Sequence, residues 1–195
     1  MIFKLFWVLR AVFYKLILGH IGLPSYIGKP VFIGNFKRIF IGNRVRIFPG
    51  ARIEVVDKGS SIVFEDNISI AQNLHIISGG NQELRISKNT TFSANVFVTN
   101  VDHEYRNIDV HIMEQETISS NTFIGENCFV GYGVVIQAGT ILGKQCIVGS
   151  NSVLRGEYPD YSVIVGAPSK IVKRYNPSTQ KWEKTNAKGD FLDER

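Results

Sequence analysis

A spacing of six residues governs most of this sequence. In its second half a large aliphatic side chain stands at every sixth position, and glycine directly follows four of them. These aliphatic residues are Ile118, Ile124, Val130, Ile136, Leu142, Val148 and Leu154. The same spacing runs from Ile62 to Val98, with Gly80 in the one slot that lacks a large apolar side chain. Six residues do not return to one face of an α-helix at about 3.6 residues per turn, so the pattern excludes a helical repeat.

The spacing predicts a coil of short parallel strands with a turn every six residues. The aliphatic residue of each hexad points inward, and stacking the coils about 4.8 Å apart buries a continuous apolar column. A small or β-branched residue four positions later completes the interior. Cys128 and Cys146 occupy two of these slots. We therefore expect buried core thiols at both positions rather than a disulfide or a metal site.

The repeat resembles the hexapeptide-repeat acyltransferases over roughly residues 27 to 175. Asn73, the segment ending at His103, and residues 163–170 (VIVGAPSK) are most similar to maltose, galactoside and cell-envelope sugar O-acetyltransferases. The resemblance implies an all-β fold, a left-handed parallel β-helix over residues 21–165, and acetyl-CoA as co-substrate without a metal. It also implies a homotrimer with active sites between subunits. Carbonic anhydrases and non-catalytic assembly subunits share the repeat, so it specifies the fold better than the chemistry.

The six-residue phase breaks between Val98 and Ile118, where a polar segment predicts an extruded loop over about residues 101–116. Long excursions from a regular scaffold usually carry function. The resemblance places the general base at the start of this loop, which is His103. Asp102 and Glu104 flank it, and Asp102 is a candidate for substrate binding. Because neighbours in an extended segment point in opposite directions, the choice of an orienting carboxylate stays open.

Asn73 stands 30 residues before His103. The resemblance implies that this asparagine binds the acceptor, since family members place an acceptor-binding asparagine at the same separation. The alternative is an asparagine in a corner turn, where the side chain satisfies backbone groups.

The resemblance also implies a groove for acetyl-CoA between adjacent β-helices, beside the late coils. An aromatic wall, two stacked glycines and basic residues near the 3′-phosphate of CoA would form it. The candidates are Phe129, Gly131, Gly149, Arg155, Lys170 and Lys173. Phenylalanine stands where sugar acetyltransferases often carry tryptophan, so an indole donor is lost there. The alternative explanations are the glycine preference of the repeat itself and ordinary solvated lysines.

The N-terminal region predicts an amphipathic helix over residues 1–20. Leu5, Leu9, Val12 and Leu16 share one face, and nine basic residues precede Glu54, the first acidic residue of the chain. A basic helix with interfacial aromatics suits an anionic membrane surface, here through residues 1–18. Packing against the β-helix or another subunit is the alternative.

The C-terminal region, residues 166–195, predicts a short capping helix followed by a polar tail. Pro168 stands near the expected helix start and basic residues follow it. Residues 176–195 are polar and mixed in charge, which is typical of a poorly ordered terminus.

The resemblance implies an O-acetyltransferase that moves acetyl from acetyl-CoA to a sugar hydroxyl, and the basic N-terminal half favours an acceptor of capsule or lipopolysaccharide biosynthesis. Two cysteines and no secretory leader favour the cytoplasm, and the basic N-terminal helix suggests the inner face of the membrane. A non-catalytic assembly subunit, or an acetyltransferase for an antibiotic or amino-sugar nucleotide, is the alternative. No recognised nucleic-acid module accompanies the basic N-terminal half, so we expect no nucleic-acid partner.

Overall fold

The structure is a computed structural model that describes residues 2–192. Within these residues one α-helix, α1 (Ile2–Tyr14), precedes seven stacked coils of short strands. The first four coils contain β1 (His20–Ile21), β2 (Tyr26–Ile27), β3 (Phe32–Gly34), β4 (Ile39–Ile41), β5 (Arg46–Ile47), β6 (Arg52–Val55), β7 (Ser61–Phe64), β8 (Ser69–Ile70), β9 (His75–Ser78), β10 (Glu83–Ile86), β11 (Thr91–Phe92) and β12 (Phe97–Thr99). A short 3-10 helix, Phe36–Arg38, joins the first coil to the second.

An antiparallel ribbon then leaves the coil, and the repeat resumes after it. The ribbon consists of β13 (Val101–His103) and β14 (Thr117–Ser119), with a 3-10 turn at Ile112–Glu114 between them. The remaining strands are β15 (Phe123–Ile124), β16 (Phe129–Val130), β17 (Val135–Ile136), β18 (Ile141–Leu142), β19 (Ile147–Val148), β20 (Val153–Leu154), β21 (Glu157–Tyr158), β22 (Ser162–Val165), β23 (Lys170–Asn176) and β24 (Lys181–Lys184).

The strands form three parallel sheets that run the length of the coil. Sheet A takes the first strand of every coil, sheet B the second and sheet C the third. Each inward residue stacks on its equivalent in the next coil, because the strands pair in register. In sheet A this buried column is Ile21, Ile41, Phe64, Ile86, Ile124, Leu142 and Tyr158. The predicted left-handed parallel β-helix is confirmed.

The two cysteines lie where the repeat predicts them. Cys128 and Cys146 are free, buried, and stacked at the corner that leads into sheet B. The Cys128 thiol donates a hydrogen bond to the Gly143 carbonyl at 3.1 Å, so its position satisfies a backbone acceptor inside the coil. Both residues act as core side chains.

Helix α1 packs across the open end of the first coil. Ala11, Tyr14 and Leu18 are buried in the core cluster, and the Trp7 ring contacts the rings of Tyr26 and Phe48. The predicted apolar face, which contains Leu5, Leu9, Val12 and Leu16, lies on the opposite side and is exposed. The helix thus has two apolar faces, and the packing interpretation holds for one of them. In the described part of the chain, no helix is long and apolar enough to span a bilayer.

The predicted C-terminal helix is wrong. Residues from Lys170 onward form β23, which pairs antiparallel with β22 and then with β24. The seventh coil leaves the edge of β22 open, and the chain reverses at Gly166 (φ +100°) to cover it. Ile171 is buried against the β-helix, and β-branched residues favour strand over helix here. A tertiary contact therefore overrides the local helix-start signal.

The predicted poorly ordered tail is also wrong within residues 176–192. The hairpin of β23 and β24 is held by edge-on ring contacts, with Tyr175 between Tyr161 and Trp182. A further antiparallel bridge joins Thr185 to Phe191. These ring contacts and the antiparallel ladder order a segment whose composition is mostly polar.

Candidate active site

The ribbon of β13 and β14 projects the sequence-predicted base away from the coil. Asp102 pairs with Ile118 and His103 with Thr117, so the predicted extruded loop exists and has a regular base. Its first strand follows coil 4 directly, at the corner between sheets C and A. The His103 side chain is exposed.

Two buried polar residues anchor the base of this ribbon. The Asn100 side chain is fully buried, donates to the Gly79 carbonyl at 3.1 Å and accepts from the Gly79 amide at 2.8 Å. The Thr122 hydroxyl donates to the Thr99 carbonyl at 3.1 Å. Sequence reasoning missed both residues. The signal available was a polar residue at each end of the phase break, directly beside the hexad core.

Neither carboxylate beside His103 contacts its ring. Asp102 Oδ1 accepts a hydrogen bond from the His103 backbone amide at 2.9 Å, and Asp102 Oδ2 lies 3.6 Å from the Arg155 guanidinium. The Glu104 carboxylate accepts from the backbone amides of Tyr105 and Arg106, and these bonds hold its pKa below the usual range. Across residues 2–192, no side chain hydrogen-bonds the His103 imidazole. The ring is therefore free to meet a group from outside the chain.

Asn73 lies at a different corner of the β-helix. It stands between β8 and β9, where sheet B turns into sheet C, with a left-handed backbone (φ +62°). Its side-chain amide donates to Asn95 Oδ1 at 2.9 Å, and Asn95 in turn hydrogen-bonds the Tyr132 hydroxyl. This polar ladder supports the turn role that the sequence left open. A single chain does not bring Asn73 and His103 together.

Five of the six cofactor candidates share one side of the molecule. Phe129 points outward from sheet B and is 43% exposed, between Thr91 below and Ile147 above. Lys170 and Lys173 extend the same sheet, opposite Val165 and Val163. The sixth candidate, Arg155, lies instead at the corner with Asp102.

The two candidate glycines complete this side, at the next corner. A Cβ atom on Gly131 would lie 2.7 Å from the Ser150 backbone nitrogen, and one on Gly149 would lie 2.9 Å from the Val165 side chain. Such distances are too short for a real side chain. Coil stacking alone therefore requires glycine at Gly131, whatever binds outside.

Lys173 also lines an open surface cavity of about 860 Å³ together with Trp182 and Lys184. The cavity lies on the C-terminal hairpin, beyond the last coil. It combines an indole ring with the ammonium groups of three lysines, since Lys181 lines it as well, beside the Glu183 carboxylate. An indole ring suits a planar base, and clustered ammonium groups suit phosphate. The sequence-predicted lysine thus sits in a larger cationic and aromatic surface than the repeat alone indicated.

His75 has a structural environment. It lies on the outer face of sheet C with its ring 5.0 Å from that of Phe97, edge to face. Burial, followed by the nearby Arg52 cation, holds the pKa of His75 below its usual value. Within residues 2–192 no cluster of three or more histidine, cysteine or acidic side chains could hold a metal ion.

The repeat matches a known protein family, and the chain is similar to named relatives. Residues 121–156 match the family model described as bacterial transferase hexapeptide (six repeats). Over 130 residues the chain is 33% identical to WbbJ of Escherichia coli K12, named as a lipopolysaccharide biosynthesis O-acetyl transferase; the match covers 63% of this chain and 65% of that protein. The family match and the similarity to WbbJ support the hexapeptide-repeat acetyltransferase superfamily. The chain is also 34% identical over 91 residues to a protein named as an acetyltransferase in Mycobacterium tuberculosis, covering 47% of this chain and 29% of that one.

Solved structures show the same fold. AntD, an N-acyltransferase from Bacillus cereus in complex with dTDP and 3-hydroxybutyryl-CoA, superposes with a TM-score of 0.72 at 18% identity, covering 87% of this chain and 90% of that one. A maltose O-acetyltransferase from Clostridium difficile superposes with a TM-score of 0.57 at 18% identity, covering 85% and 74%. The hexapeptide-repeat chain spans less than two thirds of the length of the curated relatives it matches.

Proposed function

We propose that this protein transfers acetyl from acetyl-CoA to a sugar hydroxyl in capsule or lipopolysaccharide biosynthesis, with His103 as the general base. The observation that carries the proposal is the placement of His103. The imidazole is exposed on a ribbon that Asn100 and Thr122 anchor in the core. Within residues 2–192, no side chain hydrogen-bonds the imidazole. The relationship to WbbJ supports the sugar hydroxyl as acceptor.

The reaction needs one group that accepts the proton of the hydroxyl, and it needs the thioester of acetyl-CoA bound beside that hydroxyl. The imidazole of His103 takes the proton of the acceptor hydroxyl while its oxygen attacks the thioester carbonyl carbon. A carbon–oxygen bond forms and the carbonyl becomes a tetrahedral oxyanion, which hydrogen-bond donors stabilise. When the carbon–sulfur bond breaks, the imidazolium returns the proton to the departing thiolate. The products are an acetyl ester and the CoA thiol.

The complete site in this proposal lies between two subunits of a homotrimer. Asn73 and His103 occupy different corners of one chain, so an acceptor that contacts both needs two chains. The candidate cofactor surface on sheet B carries exposed Phe129 and Ile147, which a neighbouring β-helix and the pantetheine arm would cover. Lys170 and Lys173 would hold the phosphates of acetyl-CoA. Gly131 and Gly149 lie at the corner between sheets B and C beside this surface, where they leave no side chain in the way of the cofactor.

Asp102 and Arg155 take positioning roles in this scheme. Their ion pair ties the strand that bears His103 to coil 6, so it fixes where the imidazole stands. In this proposal Arg155 positions the ribbon that carries His103 and does not bind the cofactor. We further propose that the enzyme works in the cytoplasm, at the inner face of the membrane.

The test is acetyl transfer to deacetylated envelope oligosaccharides, with CoA thiol release as the rate and NMR as the check for an acetyl ester. His103→Ala should lower turnover by about 10²–10⁴-fold. Acetyl-CoA affinity by calorimetry should stay close to that of the wild type. His111→Ala is the matched control, because His111 is an exposed histidine of the same loop that caps a 3-10 turn. Near-normal turnover of His103→Ala would overturn the role of His103 as general base. Acetyl transfer to amino-sugar nucleotides alone would overturn the assignment of a sugar hydroxyl as acceptor.

A further inference from the structure

The outward face of α1 is apolar and uncovered in the described chain. Its large side chains are between 53% and 74% exposed, and they follow helical spacing on the side opposite the buried Ala11 and Tyr14. They are Leu5, Phe6, Leu9, Val12, Phe13 and Leu16. A contiguous apolar patch of this kind on a soluble protein marks a binding surface.

The direction of this face follows from the hydrogen bonds of the first coil. Successive residues of a parallel strand direct their backbone groups alternately to one neighbour and to the other, and the amides of Tyr26 and Gly28 donate to carbonyls of coil 2 at 2.9 and 2.7 Å. The Ile27 carbonyl between them therefore points away from coil 2. Arg10 donates to this carbonyl at 3.1 Å, so α1 lies beneath coil 1. Its exposed face consequently points away from the stack, along the axis of the β-helix.

Cations surround this apolar face. Five basic side chains of the helix end and the first two coils are exposed, and none of them joins an ion pair within residues 2–192. They are Lys15, Lys29, Lys37, Arg44 and Arg46. Lys37 donates to the Leu16 carbonyl at 3.3 Å, and Arg38 and Arg52 are engaged by backbone carbonyls and by Glu54. One end of the molecule is thus an apolar ridge surrounded by cations outside close ion pairs, with Asp66 the acidic group near Arg44.

We propose that this end docks on an anionic lipid surface, with α1 lying in the interface and the β-helix axis along the membrane normal. Apolar side chains enter the acyl boundary while the surrounding cations meet anionic headgroups, the usual arrangement of interfacial helices. A second copy of the same end is the poorer occupant, because it would bring two such groups of cations together. In the homotrimer of the proposed function three such helices would share one base and bind jointly. The lipid docking itself does not depend on the acetyl transfer.

The experiment is flotation of the full-length protein with two kinds of vesicle. Phosphatidylcholine mixed with phosphatidylglycerol should bind the protein, and phosphatidylcholine alone should bind it weakly. The double variant Leu9→Glu with Phe13→Glu should reduce binding by at least about tenfold, since charge replaces the inserting side chains. Ile108→Glu is the matched control, because Ile108 is an exposed apolar residue of the extruded loop.

Charge is tested separately. Lys37→Gln with Arg44→Gln should weaken binding by about 30-fold, or about fivefold for each cation removed near an anionic surface. Lys188→Gln, at the opposite end of the molecule, should leave binding unchanged. Equal flotation of the wild type and Leu9→Glu/Phe13→Glu, or wild-type protein that binds neither vesicle, would overturn the proposal. If the wild type does not bind vesicles and Leu9→Glu/Phe13→Glu no longer forms trimers, the helix face is a protein interface instead. Acetyl transfer to a soluble oligosaccharide is measured for the same variant. Retained transfer shows that a loss of vesicle binding is not a failure of the proposed function.

Discussion

Asp102 lies 3.6 Å from Arg155, and this ion pair joins the strand that carries His103 to coil 6 of the β-helix. Both side chains are more than half exposed, so the pair adds less than about 1 kcal/mol to stability. Its significance is geometric, because it limits the movement of the ribbon that presents the imidazole. Small displacements of a catalytic group are costly for rate even when they are cheap for folding.

Asp102→Asn should therefore lower kcat by about tenfold while the thermal transition barely moves. Arg155→Gln should have a similar effect, and the double variant should be no worse than either single one, since the two residues act as a unit. Steady-state kinetics together with thermal unfolding make the comparison. Additive losses in the double variant would show that Asp102 and Arg155 act independently.

Mixed trimers test whether the site is shared between subunits. His103→Ala and Asn73→Ala subunits should each be impaired alone, yet combining them should restore activity. After random mixing of equal amounts, about a quarter of the interfaces join an intact His103 to an intact Asn73. The measurement is turnover before and after co-refolding or co-expression. Activity at the mean of the two parents would place both residues in one chain's site, and an Asn73→Ala variant that is fully active alone would remove Asn73 from the site.

Gly131→Ala should destabilise the protein in the absence of any cofactor. The added Cβ would lie 2.7 Å from a backbone nitrogen of the next coil, which has no flexible side chain to move aside. Overpacking of this kind costs about 1–3 kcal/mol. Thermal unfolding without CoA measures it. An unchanged transition combined with weaker acetyl-CoA binding would instead favour a direct cofactor role for this glycine.

His75 should make the protein less stable in mild acid. Because its folded pKa is below the unfolded value, the folded state binds fewer protons than the unfolded state in that range. This contribution is complete above the unfolded pKa of about 6.5 and is lost as pH falls through the folded pKa. His75→Phe should flatten the pH dependence of the thermal transition below neutrality. A profile identical to the wild type would show that other groups control it.

The repeat could be predicted because each hexad contains, within six residues, the side chains that specify one strand and one turn of the coil. The inward aliphatic, the corner glycine and the small interior residue recur locally, so the period alone specifies stacked parallel coils, including the positions of Cys128 and Cys146. The C-terminal strand could not be predicted in this way. Lys170–Asn176 is a strand because β22 offers an open edge, and that edge exists only after the coil has formed.

The candidate site shows the same division. The phase break locates the ribbon and His103, whereas the 30-residue separation of Asn73 and His103 says nothing about which corners they occupy. Likewise, the apolar residues of α1 were visible in the sequence. Which of its two faces packs on coil 1 depends on Arg10 and Tyr14 meeting groups of the folded coil.

The stacking of the coils also acts as a molecular ruler. Helix α1 closes coil 1 and the His103 ribbon leaves coil 4, so three layer spacings of about 4.8 Å, or about 14 Å, separate them. With α1 itself about 10 Å thick, a bilayer beneath it in the proposed docking would sit some 20–25 Å below the point where the ribbon leaves coil 4. An acceptor held in that bilayer must extend this far, so a long glycan is reached and a sugar at the headgroup level is not. Inserting or removing one coil would shift the acetylated hydroxyl along the glycan by a fixed step.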